Sequence, residues 1–213
     1  MLQNQIKTKI HAHIQQLSAI YIFVLLLLFI GVIFGAVIVN SMSAGQKQEL
    51  SQYLNQFFVY FTKEGLSAKK DIFLQSYENN LKYIGMIWIL GISLIGLPVI
   101  FILLFLKGIV VGFTVGLLVQ QYGIKGFIIS LASVLPQNFL MLPLFIYISA
   151  IAISLSLRII RHQFFKNDDI QIKPLFMNYI TSFGIIIIVL GIASGFEAYI
   201  SPILMNGALK IVG

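Results

Sequence analysis

Few side chains in this sequence belong to types that do chemistry, and their spacing argues against catalysis. The three histidines, His11, His13 and His162, lie outside the long apolar runs. No His-Glu-x-x-His pair is therefore available on a membrane helix to hold a hydrolytic zinc. Ala193-Ser194-Gly195 has the outline of an intramembrane serine nucleophile. A serine hydroxyl needs a base beside it, and no histidine occupies another span, so Ser194 reads as a small residue at a packed helix face. An aspartyl pair is missing as well: the spans delimited below contain no Asp or Glu, and Glu197 is expected at a helix end. His11 and His13, two apart on a short head, read as solvated side chains rather than metal ligands. Neither a P-loop nor a dinucleotide fingerprint occurs, so no metal and no cofactor is expected. This is the pattern of a chain that is not an enzyme.

Other polar groups stand inside apolar surroundings. Ser130, Ser133, Gln137 and Asn138 flank Pro136, and Gln120 and Gln121 close the preceding run. They either line a solute pathway or satisfy the backbone groups that a proline-broken helix releases. Lys107 has the same two readings, a headgroup anchor or a pathway charge. Small residues recur at four-residue spacing at Gly31 and Gly35, at Gly108, Gly112 and Gly116, and at Gly191 and Gly195. Such spacing cuts a groove along one helix face where a second backbone approaches closely. Packing within the chain's own bundle is the preferred use, and a homo-oligomer is the alternative.

The elements that position these residues follow from composition. Of 213 residues 59% are hydrophobic and only 10% charged, with a mean hydropathy of +0.96. Soluble domains carry about 25% charged residues, so a soluble enzyme is excluded and several uncharged runs exceed the ~18 residues that mark a membrane helix. The net charge of +7 comes without a long basic run, which fits headgroup anchors and not nucleic acid. The chain has no cysteine, so disulfides and thiolate metal sites are excluded. The expected fold is all-α and polytopic, a single membrane domain with about five spans.

The first span is expected at 19–39, after an amphiphilic head. Residues 40–82 form the main polar region, read as a small extracytoplasmic helical cap. In it Leu50, Leu54, Phe57, Phe58 and Phe61 share one helical face, and Phe73, Tyr77, Leu81 and Ile84 share another. A break near 65–70 separates the two helices, the second running into the membrane. Between Tyr83 and Ile124 the one charge is Lys107, which suggests spans at 83–106 and 108–122 with Lys107 in the turn. A lysine at the centre of a lipid-exposed helix costs about 2.5–3.5 kcal/mol, so the turn is the cheaper place for it. Pro136 should end a short helix within 127–138, followed by spans at 139–157 and 175–196 and a tail along the interface. Lys and Arg divide evenly between the two sides. Those on the N-terminal side are packed into shorter segments, which favours a cytoplasmic N-terminus and an extracytoplasmic C-terminus.

Certain stretches are more specific than plain apolar runs. LFIGVIFGAVIVNS (28–41), LGISLIGLPVIFILLFLKGIVVGFTVG (90–116), KGF (125–127), SVLPQNFL (133–140) and FEAYISPIL (196–204) follow in order along nearly the whole chain. Together they resemble the stage II sporulation protein M family. The Leu-Lys-Gly-x-x-x-Gly-Phe run and the Leu-Pro-Gln-Asn segment carry most of the likeness.

The resemblance implies a multi-pass protein of the mother-cell membrane at the sporulation septum, needed for engulfment of the forespore. It further implies a non-catalytic scaffold for two peptidoglycan-hydrolase partners, the stage II sporulation proteins D and P. In that picture the cap stripe of Leu54, Phe57, Phe58 and Phe61 either packs on the membrane or bundle, or docks a partner. The rival class is a permease-like subunit or channel with its pathway near the Pro136 bend, at Lys107, Gln137 and Asn138.

Overall fold

Backbone amides have no water to bond in hydrocarbon, so an apolar chain crossing a bilayer closes its hydrogen bonds within helices. In the computed structural model the described residues are helical apart from short turns, without a strand. The described backbone comprises residues 2–63, 65–93, 95–165 and 172–212, with side chains for 17–54, 56, 70–93, 95–134, 138–161, 163, 175–200, 203–204 and 207. Six helices follow in order: α1 (Leu2–Ser41), α2 (Ala44–Lys63), α3 (Gly65–Gly91), α4 (Gly96–Tyr122), α5 (Ile124–Phe165) and α6 (Ile172–Val212). Four carry stretches long and apolar enough to cross a membrane, at Leu17–Ser41, Gly96–Tyr122, Asn138–Arg161 and Leu175–Ile200.

Cross-helix contacts fix the directions. Gly31 lies against Phe105 and Gly108, and Gly112 against Val32, so α1 and α4 run parallel. Ser76 meets Glu197 while Tyr179 meets Trp88, so α3 and α6 run antiparallel. Thus α1, α4 and α6 point one way and α3 and α5 the other, with α2 bridging α1 and α3 at one end, here called the cap end. A core of Val24, Ile84, Ile87, Ile100, Leu104, Phe145, Ile148 and Leu190 fills the middle. Phe29, Ile33, Ile188 and Ile192 face outward on the two outer helices, as lipid-facing residues should.

The structure corrects several boundaries. There is no turn at Lys107: α4 passes through it as one 27-residue helix, about 40 Å long, and replaces the two spans expected at 83–106 and 108–122. The turn lies instead between Gly91 and Gly96, where a Cβ on Gly96 would sit 1.8 Å from the Leu90 carbonyl oxygen. Only glycine permits that approach. The cost argument for Lys107 assumed lipid exposure, whereas its side chain is half-buried between helices.

Pro136 does not end a helix either, because α5 runs unbroken from Ile124 to Phe165 in place of a short helix at 127–138. Side-chain donors around it bond carbonyls of the same helix. Asn138 Nδ2 donates to Val134 O at 2.8 Å, Ser133 Oγ to Ile129 O at 2.8 Å and Ser130 Oγ to Phe127 O at 2.8 Å. Such local support is how membrane helices accommodate proline. The expected interfacial tail after 196 is likewise a continuation of α6, to Val212.

Candidate functional site

Two kinds of contact hold the bundle together, one made by glycines and one by polar side chains. The glycine seam joins α1 to α4. A Cβ on Gly31 would meet Phe105 O at 2.5 Å, one on Gly35 would meet Ile109 O at 2.2 Å, and those on Gly108 and Gly112 would meet Leu28 O at 2.4 Å and Val32 O at 1.9 Å. Gly116 faces the Ala36 Cα at 3.1 Å. Edge-on aromatic pairs, Phe23 with Phe101 and Phe34 with Phe105, flank this line. Five glycines of the sequence pattern are therefore used inside the chain. Among the described residues Gly191 and Gly195 are not: the nearest atom to a Cβ on Gly191 is Tyr77 Cε2 at 3.8 Å, and around Gly195 there is none within 4 Å.

The polar contact joins α3 to α6 within the bundle. Ser76 and Asn80, four apart, share a face of α3, and Ser194 and Glu197, three apart, share a face of α6. All four are buried. Ser76 Oγ donates to Glu197 Oε2 at 2.5 Å, and Ser194 Oγ lies 3.4 Å from the same hydroxyl. Asn80 Nδ2 donates to Ser76 O at 2.8 Å. The buried line of α3 is thus Ser76, Asn80, Ile84 and Ile87, while Phe73, Tyr77 and Leu81 are only half-buried. Glu197 is not at a helix end but inside the apolar stretch Leu175–Ile200.

Lys107 reaches toward this region from α4. Its Nζ stands 4.6 Å from the Phe145 ring centroid and 5.7 Å from that of Tyr83. Cation–π contacts of a desolvated ammonium are worth about 2 kcal/mol, which offsets much of the cost of its placement. An ion pair lies on the exposed face of α3, Lys82 with Glu78 at 3.7 Å.

The C-terminus of α3 is closed by its neighbours. The last four carbonyls of a helix have no partner within it. Here Tyr179 OH donates to Trp88 O at 2.7 Å, and Ser156 Oγ donates to Gly91 O at 2.7 Å. The Trp88 ring stacks on Tyr179 and on Phe183, with centroids 5.6 and 4.5 Å apart. These bonds seat an otherwise polar helix among apolar ones.

At the cap end, α2 begins with a capping box. Ser43 Oγ accepts from Gln46 N at 3.4 Å, while Gln46 Oε1 accepts from Ser43 N at 3.0 Å. Gln120 and Gln121 of α4 tie this helix down. Gln121 Nε2 donates to Ser51 Oγ. Gln120, with its amide oriented to satisfy both ends, donates to Val39 O at 3.1 Å and accepts from Lys47 Nζ at 2.6 Å. Lys47 also donates to Asn40 O at 3.1 Å. Leu54 is half-buried on α2, whereas Tyr53 is 69% exposed. The side chains of Phe57, Phe58 and Phe61, and those of Pro136 and Gln137, lie outside the described residues.

Sequence reading missed Ser76, Asn80 and Glu197 and took Ser194 for simple packing. The available signal was the paired spacing of polar residues, four apart on α3 and three apart on α6. It becomes meaningful only once the two helices are known to be neighbours.

No curated protein and no solved structure matches the chain. The sequence model of the family described as stage II sporulation protein M matches residues 24–202, a range that contains the glycine seam, the cap helix and the whole polar contact. This multi-pass, all-helical chain belongs to the stage II sporulation protein M family.

Proposed function

We propose that this protein is a non-catalytic membrane platform that recruits and localises peptidoglycan hydrolases at the sporulation septum during engulfment. The observation that carries the reading is the cap helix α2, fastened to one end of the bundle by Gln120 and Gln121. A connector between α1 and α3 needs no capping box and no amide ties. A docking helix held at a fixed height does. The partners are the stage II sporulation proteins D and P, as the family implies, and the docking stripe is Leu54, Phe57, Phe58 and Phe61. The protein lies in the mother-cell membrane with its N-terminus in the cytoplasm and the cap outside it.

The test is purification of a tagged copy from sporulating cells in mild detergent, with the co-purifying proteins identified by mass spectrometry. Both hydrolases should accompany the wild type. The double variant Phe57→Glu, Phe61→Glu should lose them and still insert into the membrane at normal levels. Retention of the hydrolases by that variant removes the stripe from the account, and their absence from the wild type removes the platform.

A second reading has an observation of its own. Glu197 with Ser76 and Ser194, buried inside the bundle, is the kind of intramembrane polar group that marks proton or ion routes. That favours a permease-like subunit or channel whose centre is Glu197 rather than a bend at Pro136.

A further inference from the structure

At the end of the bundle opposite the cap, α1, α5 and α6 part around a cleft of 290 Å³, open on one side. Leu17, Leu155 and Leu175 give it apolar walls, and Arg158, Ser154 and Asn178 supply its donors. Its level along the bundle is set by sequence position. Leu17 follows the polar head with Lys7, Lys9, His11 and His13, and Arg158 and Leu175 flank the charged stretch with Arg161, Lys166, Asp168, Asp169 and Lys173. The mouth therefore opens where hydrocarbon gives way to headgroups.

Arg158 is half-buried there and takes part in no hydrogen bond or ion pair among the described residues. A guanidinium presents five donors in a planar fork that suits phosphate oxygens. Such a fork beside a hydroxyl and an amide, above apolar walls, matches an amphiphile with an anionic head. A soluble anion would leave the leucine walls without purpose, and an apolar ligand would leave the guanidinium unpaired.

We infer that this cleft binds the headgroup of an anionic phospholipid, its phosphate on Arg158 and Asn178 and the upper part of one acyl chain against Leu17, Leu155 and Leu175. The site is independent of the platform reading, since it lies at the far end from the cap.

Trp88, the protein's single tryptophan, reports on the site because its ring stacks on Tyr179, which lines the cleft. The experiment places the full chain in phosphatidylcholine vesicles and follows Trp88 emission as phosphatidylglycerol or phosphatidylcholine with brominated chains is added. Half-maximal quenching should need about fivefold less of the anionic lipid, the preference expected of one basic side chain at a membrane surface. Arg158→Gln should bring the two lipids to equality. Equal quenching in the wild type overturns the proposal, as does a preference that survives Arg158→Gln. Reversal of the anionic quenching by millimolar inorganic phosphate overturns it as well, by showing a site for the free anion. Should the variant fail to insert, the lipid carried by purified wild type decides: bound anionic phospholipid supports the site, and zwitterionic lipid alone contradicts it.

Discussion

The α1–α4 seam and the α3–α6 contact solve one problem, helix association in lipid, by opposite means. Lipid tails are as apolar as the helices, so burial of hydrocarbon drives little, and packing and interhelical hydrogen bonds must do the work. Along α1–α4 five glycines remove side chains so that backbones touch, as Gly112 does at Val32. Along α3–α6 the contact is made by side chains that bond, Ser76 to Glu197 and Tyr179 to Trp88 O. The first arrangement suits two helices that are apolar where they meet. The second admits to the bundle a helix bearing Glu78 and Lys82 on its outer face, which would gain nothing from entering lipid alone. Close packing and polar pairing are therefore assigned by the composition of the helix to be held.

The sharpest way to break this comparison is to overfill the seam. Gly112→Leu drives a side chain into the Val32 backbone, with its Cβ 1.9 Å from the carbonyl oxygen, and neither backbone can yield cheaply. A loss of about 3 kcal/mol is expected, read as a lowered melting temperature and poor recovery of monodisperse protein in detergent. The polar contact should be softer. Ser76→Ala leaves the Glu197 carboxylate without its donor and should cost about 1–2 kcal/mol, while Ser194→Ala, which gives up a longer contact, should cost less. A Ser76→Ala protein as stable as wild type would mean that packing alone seats α3.

The seam was legible in the sequence because its signal is local. Glycines four apart state that a groove exists, whatever fills it. The apolar cores of three spans were legible for the same reason: 19–39, 139–157 and 175–196 fall within Leu17–Ser41, Asn138–Arg161 and Leu175–Ile200. The polar contact was not legible, because Ser76 and Glu197 are 121 positions apart and each looks unremarkable beside its own neighbours. The misplaced turn at Lys107 has that origin too. Its cost was reckoned against lipid, and the rings of Tyr83 and Phe145 that receive it belong to other helices. At Pro136 the error was local, since Ser130, Ser133 and Asn138 could be read either as ends of a broken helix or as support for a continuous one.

Two smaller effects sharpen the contrast. Ser43→Ala removes the capping box of α2 and should cost that helix about 1 kcal/mol. The effect should appear as faster hydrogen exchange at residues 44–47, with the melting of the bundle unchanged. Gly195→Ala should be neutral or stabilising by up to about 1 kcal/mol, because the helix gains from the lost glycine and the new methyl meets nothing within 4 Å among the described residues. A destabilised Gly195→Ala protein would indicate a helix contact at that position with a second chain.

The central claim is that Glu197 and its partners hold helices together in a platform and are not a conduit. Its most direct test is proton and sodium flux into vesicles reconstituted with the full chain, wild type beside Glu197→Gln. The account predicts flux no greater than in protein-free vesicles for both proteins, under either sign of imposed potential. Flux through the wild type that disappears in Glu197→Gln would contradict it and make the polar contact between α3 and α6 the route.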